Sequence, residues 1–155
     1  MSFTLTTPIT GAAQTGFTAP TYTIVSDTPP DNNAKQVVVT ALGGTQAGVT
    51  AHTVAAPFTI AMWRPKAFQA LAPVNAVTGV LAKVPYNTYK IITRKGVTPL
   101  AGQAFKNCVI TTQIEVPAGS DTADAANLRA ALSAHFGAVA QQSAGIGDST
   151  VNGVL

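Results

Sequence analysis

The chain has 155 residues, a formal net charge of +3 and a charged fraction of only 10%. That length fits a single domain burying roughly two-thirds of its unfolded surface; the charge content is less than half the about 25% of ordinary soluble domains, so a solitary monomer is disfavoured and other copies of the chain are expected to cover the neutral surface. A lone cysteine, Cys108, excludes an internal disulfide and a cysteine-rich metal centre; the lack of any apolar run of about 18 residues argues against a membrane helix.

Residues 2–7 alternate, with Phe3 and Leu5 on one side, and predict a first strand. A turn-rich break at 11–16 and a second strand at 17–25 complete an N-terminal β-hairpin over 1–26. The first basic residue is Lys35, so this start lacks the charged region of a secretory signal. Asp27-Thr28-Pro29-Pro30-Asp31-Asn32-Asn33 reads as a loop. Strands follow at 36–41, 49–55, 58–64, 87–95 and 106–116, giving a five-stranded antiparallel sheet over 35–117. Gly43-Gly44 is read as a hairpin turn, and 65–85, with three prolines, as a long connection.

Beyond Pro117-Ala118-Gly119 the pattern turns helical, and 120–155 forms a helical region. Asp121 suits an N-cap and Asp124 the positive end of the helix. Leu128, Leu132, His135 or Phe136, and Val139 recur at three- and four-residue steps among helix-favouring alanines. Gly145 and Gly147 are expected to end this helix, with a last short turn from 148 or 149 to 151. The whole is one α+β domain over 1–155.

Charge is distributed unevenly along this frame. Between Asn32 and Ile114 lie Lys35, Arg64, Lys66, Lys83, Lys90, Arg94, Lys95 and Lys106, and no acid. One-signed charge on a sheet suits a polyanion, of which nucleic acid is the commonest. Alternation sorts the strands into faces. Phe58, Ile60, Met62, Tyr89, Ile91, Cys108, Ile110, Ile114 and Val116 make an apolar side to be covered by a helix. Thr59, Ala61, Trp63, Thr88, Lys90, Ile92, Arg94, Asn107, Val109, Thr111, Gln113 and Glu115 make the other. Cations for phosphates, hydroxyls and amides for base edges, and an aromatic for stacking suit that second side to RNA.

Blander readings stand beside these. Trp63 fits a core as well as a stacking platform. Arg94-Lys95 fits a guard on a sheet edge. Cys108 reads as a small buried apolar residue and His135 as a residue packing on the helix or at the dimer interface, since His52 and His135 share no metal-ligand spacing. No convergent His, Cys, Asp or Glu set suggests catalysis, a metal or a cofactor, so an enzyme or ligand-binding domain is disfavoured.

Residues 87–97, NTYKIITRKGV, resemble the penultimate strand and loop entry of single-stranded RNA bacteriophage (levivirus) coat proteins, and 109–117, VITTQIEVP, resemble their last strand. The tail from Ala126-Asn127-Leu128-Arg129 through Val151-Asn152-Gly153-Val154-Leu155 is similar to the C-terminal helical region of one branch of that family. The element order matches over nearly the whole chain; the long 65–85 connection departs from the best-known members.

This resemblance implies an intertwined homodimer in which two five-stranded sheets join edge to edge and each chain's helices pack on the partner. Leu128, Leu132, His135, Phe136 and Val139 would serve that interface. Dimers would build a T=3 icosahedral capsid around viral genomic single-stranded RNA. The loop containing Gly96, Val97, Pro99 and Gly102 would meet its neighbours at the symmetry axes. The inward face, with Thr59, Trp63, Thr88, Lys90, Arg94, Asn107 and Thr111, would bind the genome and an RNA hairpin that represses translation. The implied setting is the virion, assembled in the bacterial cytoplasm without membrane or cofactor. A non-viral self-assembling, nucleic-acid-binding β protein is the alternative.

Overall fold

The computed structural model describes residues 3–155. Among them, in chain order, come β1 (Ile9–Thr10), β2 (Thr18–Asp27), β3 (Ala34–Thr45), β4 (Phe58–Trp63), β5 (Tyr86–Val97), β6 (Lys106–Pro117), α1 (Ser120–Ala123), α2 (Ala125–Gln141) and α3 (Ser143–Asn152). All six strands form one sheet in sequence order, and every neighbouring pair is antiparallel. Each strand pairs with the next in sequence, with no crossover, which makes that arrangement the simplest available.

Several expected elements differ. Residues 3–7 are not a strand; the first pairing is Ile9 with Tyr22 and Thr10 with Thr21, while Ser2 lies outside the described residues. The hairpin is not separate from the sheet, because β2 continues into register with β3 from Thr18↔Thr45 to Asp27↔Gln36. Residues 49–55 form a loop rather than a strand. Its backbone is diverted to β3 and β4: His52 N–H donates to the Val39 carbonyl at 2.8 Å, and the His52 ring accepts from Phe58 N–H through Nδ1 at 3.0 Å. The five long strands are therefore β2 to β6.

Gly43-Gly44 is not a turn but the far end of β3, where Gly43 pairs with Thr21. Gly44 has φ +72° and passes so close to the carbonyls of Thr18 and Ala19 that a side chain would collide with them. A shifted register between Thr18 and Thr21 marks the irregularity.

The helical region is broken twice. Gly119, at φ +86°, occupies the cap position of α1 and Asp121 lies in its first turn, so Asp121 is not the N-cap. Only a residue tolerant of the left-handed region turns the chain from β6 into helix there, and Leu71 fills the space a side chain would need. Asp124 interrupts α1 and α2 at φ −145°; its carboxylate accepts from the Asn127 amide at 2.8 and 3.0 Å rather than from a backbone N–H. Gly145 and Gly147 lie within α3 and do not end the helix; the break falls at Gln142. Tertiary contact offsets the low helix propensity of glycine. The Gln14 amide donates to Ser143 O and Oγ at 2.9 and 2.7 Å, and the Thr15 hydroxyl to Asp148 at 2.8 Å, tying the hairpin tip to α3.

The core of the single chain is small. Its buried hydrophobics are Ile24, Val39, Ala56, Ala61, Val116 and Ala118, and Val39 is the one large side chain below 2% exposure among the described residues. A folded monomer of this mass exposes about 7,300 Å² by size scaling. This chain exposes 10541 Å², so the two-thirds burial expected from length is not reached. The reason is architectural: one sheet without a second layer of its own cannot enclose its apolar side.

Candidate nucleic-acid interface

Register turns strand alternation into a surface. Directly paired residues of antiparallel strands share a face. Thr59 pairs with Arg94 and Arg94 with Val109; Ala61 with Ile92 and Ile92 with Thr111; Trp63 with Lys90 and Lys90 with Gln113. Thr88 pairs with Glu115, and Asn107 with Gly96. All seven residues expected at the RNA side thus lie on one face. Ala34, Gln36 and Val38 of β3 extend it through their pairing with Trp63, Ala61 and Thr59.

Exposure within the seven is uneven. Lys90, Asn107 and Thr111 are exposed; Trp63, Thr88 and Arg94 are half-buried. Thr59 is only 7% exposed, a correction to its expected role: it faces the right side but offers little surface to a ligand. Close packing along the β3, β4 and β5 rows, with Val38 on one side and Arg94 on the other, accounts for this.

Trp63 is neither core nor free. The Arg94 guanidinium lies 5.4 Å from its ring centroid, so the two side chains meet above the Ala61–Ile92 pair that separates them. The indole Nε1–H donates to Asp31 Oδ2 at 3.0 Å, and Lys66 Nζ sits 3.3 Å from Asp31 Oδ1. The indole hydrogen bond first, and Lys66 second, hold the Asp31 carboxyl below its ordinary pKa. Lys66 and Asp31 are both well exposed, so their ion pair adds little stability and serves mainly to orient.

Asp31, Trp63 and Lys66 line an open cleft of about 590 Å³ with Arg64, Thr88, Lys90, Ile92 and Gln113. Lys66 and Trp63 meet the carboxylate of Asp31 directly, and Lys90 shares the cleft, while the Arg64 guanidinium lies 6.0 Å from the Phe68 ring centroid. Asp31, Arg64, Lys66 and Gln113 are outside the seven residues expected to bind RNA, although alternation places Gln113 on the same face. Arg64 and Lys66 carried the signal of basic charge directly after β4. Asp31 carried none, since a loop has no periodicity to say which way it faces.

Arg94 and Lys95 do not jointly guard an edge. Successive strand residues face opposite sides, and β6 rather than β5 is the outer strand. Lys95 belongs to the apolar side, where Nζ donates to Thr50 O and Oγ1 at 2.8 and 3.0 Å and lies 5.0 Å from the Phe58 ring centroid. Partial burial there lowers its pKa.

The loop expected to contain Gly96, Val97, Pro99 and Gly102 is shorter. Gly96 and Val97 end β5, paired with Asn107 and Lys106, because Gly96 N–H also bonds the Pro57 carbonyl at 2.6 Å. Pro99 and Gly102 remain in the exposed loop 98–105. On α2, Leu128 and Leu132 are half-buried, His135 is exposed, and Phe136 and Val139 are 43% and 45% exposed. His135 packs edge-on to Phe136, with ring centroids 5.4 Å apart. No residue of α2 is buried. Among the described residues no three His, Cys, Asp or Glu cluster to hold a metal, and no helix is long and apolar enough to cross a membrane.

Among solved structures, the chain is similar to that of a virus-like particle of bacteriophage ESE020, with a TM-score of 0.97 and 51% sequence identity over 99% of this chain and 100% of that one. The chain belongs to the bacteriophage coat proteins. No family model and no curated protein matches the coat protein. The family resemblance read from β5, β6 and the C-terminal helices therefore holds, as does the α+β order of antiparallel sheet followed by helices. As a capsid component, the coat protein is structural and not an enzyme.

Proposed function

We propose that this coat protein assembles through intertwined dimers into a closed icosahedral shell, and that the cationic sheet face packages single-stranded RNA inside it. One observation carries the reading: the sheet sorts its chemistry by side, with Lys90, Arg94, Trp63 and Thr111 on one face and Phe58, Ile60, Met62 and Ile91 on the other. The first side suits phosphates and unpaired bases. The second needs an apolar cover that this chain's own helices leave incomplete.

Support for the dimer is quantitative. The exposed area exceeds the size-scaling value by about 3,000 Å² per chain, or about 6,000 Å² for a pair, enough to supply an obligate interface of more than about 2,000 Å² in total and further contacts between dimers. β6 is a twelve-residue outer strand with Val109 and Ile110 53% and 64% exposed. Antiparallel pairing of two β6 strands would satisfy both free edges and set each α2 over the partner's apolar side. Leu128, Leu132, Phe136 and Val139 would then be covered.

The protein of the bacteriophage ESE020 particle assembles into a virus-like particle, which supports self-assembly here. Trp63, Thr88, Lys90, Arg94, Asn107 and Thr111, joined by Lys66, are the proposed RNA contacts; the same face would hold an operator hairpin that represses translation. Loop 98–105 is the proposed contact at the shell's symmetry axes, and the particle would form in the host cytoplasm.

Expression in a bacterium followed by electron microscopy and nuclease treatment tests the reading. Closed particles containing nuclease-resistant RNA are the expected result. Empty particles would remove the RNA role, and a stable monomer at micromolar concentration would remove the dimer and the shell. A reporter fused behind candidate hairpins tests repression separately.

A further inference from the structure

We infer that the connection between β4 and β5, residues 65–85, is a contact surface for a second copy of this chain, made by a preordered turn that holds Val74, Val77 and Val80 outward. The inference rests on the shell proposed above.

The segment is anchored. The Asn87 side chain, 9% exposed, accepts from Gln69 N–H at 2.8 Å and donates to Gln69 O at 3.0 Å. Phe68 packs on Tyr89 with centroids 6.5 Å apart, and Leu71 lies against Gly119. Asn87 and Tyr89 are on the apolar side of β5, so the connection folds onto that side and away from Lys90 and Arg94.

Its tip is ordered by its own hydrogen bonds. Asn75 Oδ1 accepts from Val77 N–H and Thr78 N–H at 2.8 and 3.0 Å. Gly79 N–H donates to Asn75 O at 2.8 Å, and Asn75 N–H to Val80 O at 3.0 Å. This turn leaves Val74, Val77 and Val80 at 56%, 94% and 62% exposure. A contact made by a prefolded turn loses little conformational entropy on docking.

Charge selects the occupant. Residues 67–82 contain no charged side chain, so the strip offers nothing to a polyanion. An apolar strip on a chain already exposing about 3,000 Å² beyond the scaling value is suited to another protein surface. The related chain from the bacteriophage ESE020 particle is matched over its full length, so the segment has a counterpart in a protein surrounded by its own copies. A second copy is thus the occupant to which these observations point.

The test uses the full chain carrying Val77→Asp and Val80→Asp, beside the unaltered chain. Both positions are too exposed for the substitutions to disturb the fold of the single chain. Shell yield by sedimentation and electron microscopy is expected to fall about tenfold or more, because an apolar contact disfavours an unpaired carboxylate. A second readout needs no substitution: thermolysin cleavage within 74–80 is expected to be about tenfold or more slower in shells than in disassembled protein. Shells of unchanged yield, or cleavage equally fast in both states, would overturn the inference while leaving the shell reading intact. Failure of the unaltered chain to form particles would instead remove the shell reading, and this contact with it.

Discussion

Replacing Lys90 and Arg94 together by alanine tests the RNA face most directly. They lie four residues apart on β5, hence on one side and about 13 Å from each other, far enough to meet different phosphates. Losing two phosphate contacts should make the slope of log affinity against log salt shallower by about 1.4 for single strands, or about 1.8 for a duplex hairpin stem. At about 0.1 M salt that corresponds to roughly 25-fold to 60-fold weaker binding, and at about 0.2 M to roughly 10-fold to 20-fold.

Arg94 has a second role that the slope does not see. Its guanidinium covers Trp63 at 5.4 Å, a contact worth about 0.5–1 kcal/mol and nearly independent of salt. Arg94→Lys keeps the charge and loses the planar stack, so it should lower affinity with the slope preserved. Filter binding with an RNA hairpin across a salt series separates the two effects. Sedimentation and thermal melting check that dimers persist, as they should because neither residue is on the apolar side. An unchanged slope in the double variant, with dimers intact, would refute the assignment of this face to RNA.

Three further outcomes follow from the geometry. Leu132→Asp should abolish soluble dimers in size-exclusion chromatography, since a carboxylate buried without a partner costs several kcal/mol. Deleting 99–102 should leave dimers intact while reducing or reshaping shells in electron micrographs; normal particles would remove this loop from the shell contacts. The fluorescence of Trp63, the sole tryptophan, should report Asp31. Folding lowers the Asp31 pKa, so the stabilisation is complete above the ordinary carboxylate range and is lost as pH falls through the lowered folded value. The fluorescence midpoint should therefore lie below the ordinary Asp value, and Asp31→Asn should remove that transition.

Particular residues mark how far the sequence could be read. Alternation in β4, β5 and β6 was enough to sort Trp63, Lys90 and Thr111 from Met62, Ile91 and Ile110, because a pleated strand has a period of two wherever it runs. The apolar steps from Leu128 to Val139 identified α2 for a similar reason. Low charge content, a property of composition alone, already implied that copies cover one another.

The tertiary structure decided what local pattern cannot encode. Residues 49–55 resemble a strand, yet β3 and β4 recruit their backbone as a loop. Gly43 and Gly44 resemble a turn, yet pairing with Thr21 and close passage by Ala19 hold them in β3. Gly145 and Gly147 resemble helix ends, yet docking against Gln14 and Thr15 keeps α3 helical. Asp31 entered the basic cleft because the β2–β3 loop delivers it to Trp63, a juxtaposition across 32 residues of chain. Periodicity reports the environment of each segment averaged along its axis; hydrogen-bond partners and close approaches depend on segments remote in sequence, and they exist only once the sheet has closed its register.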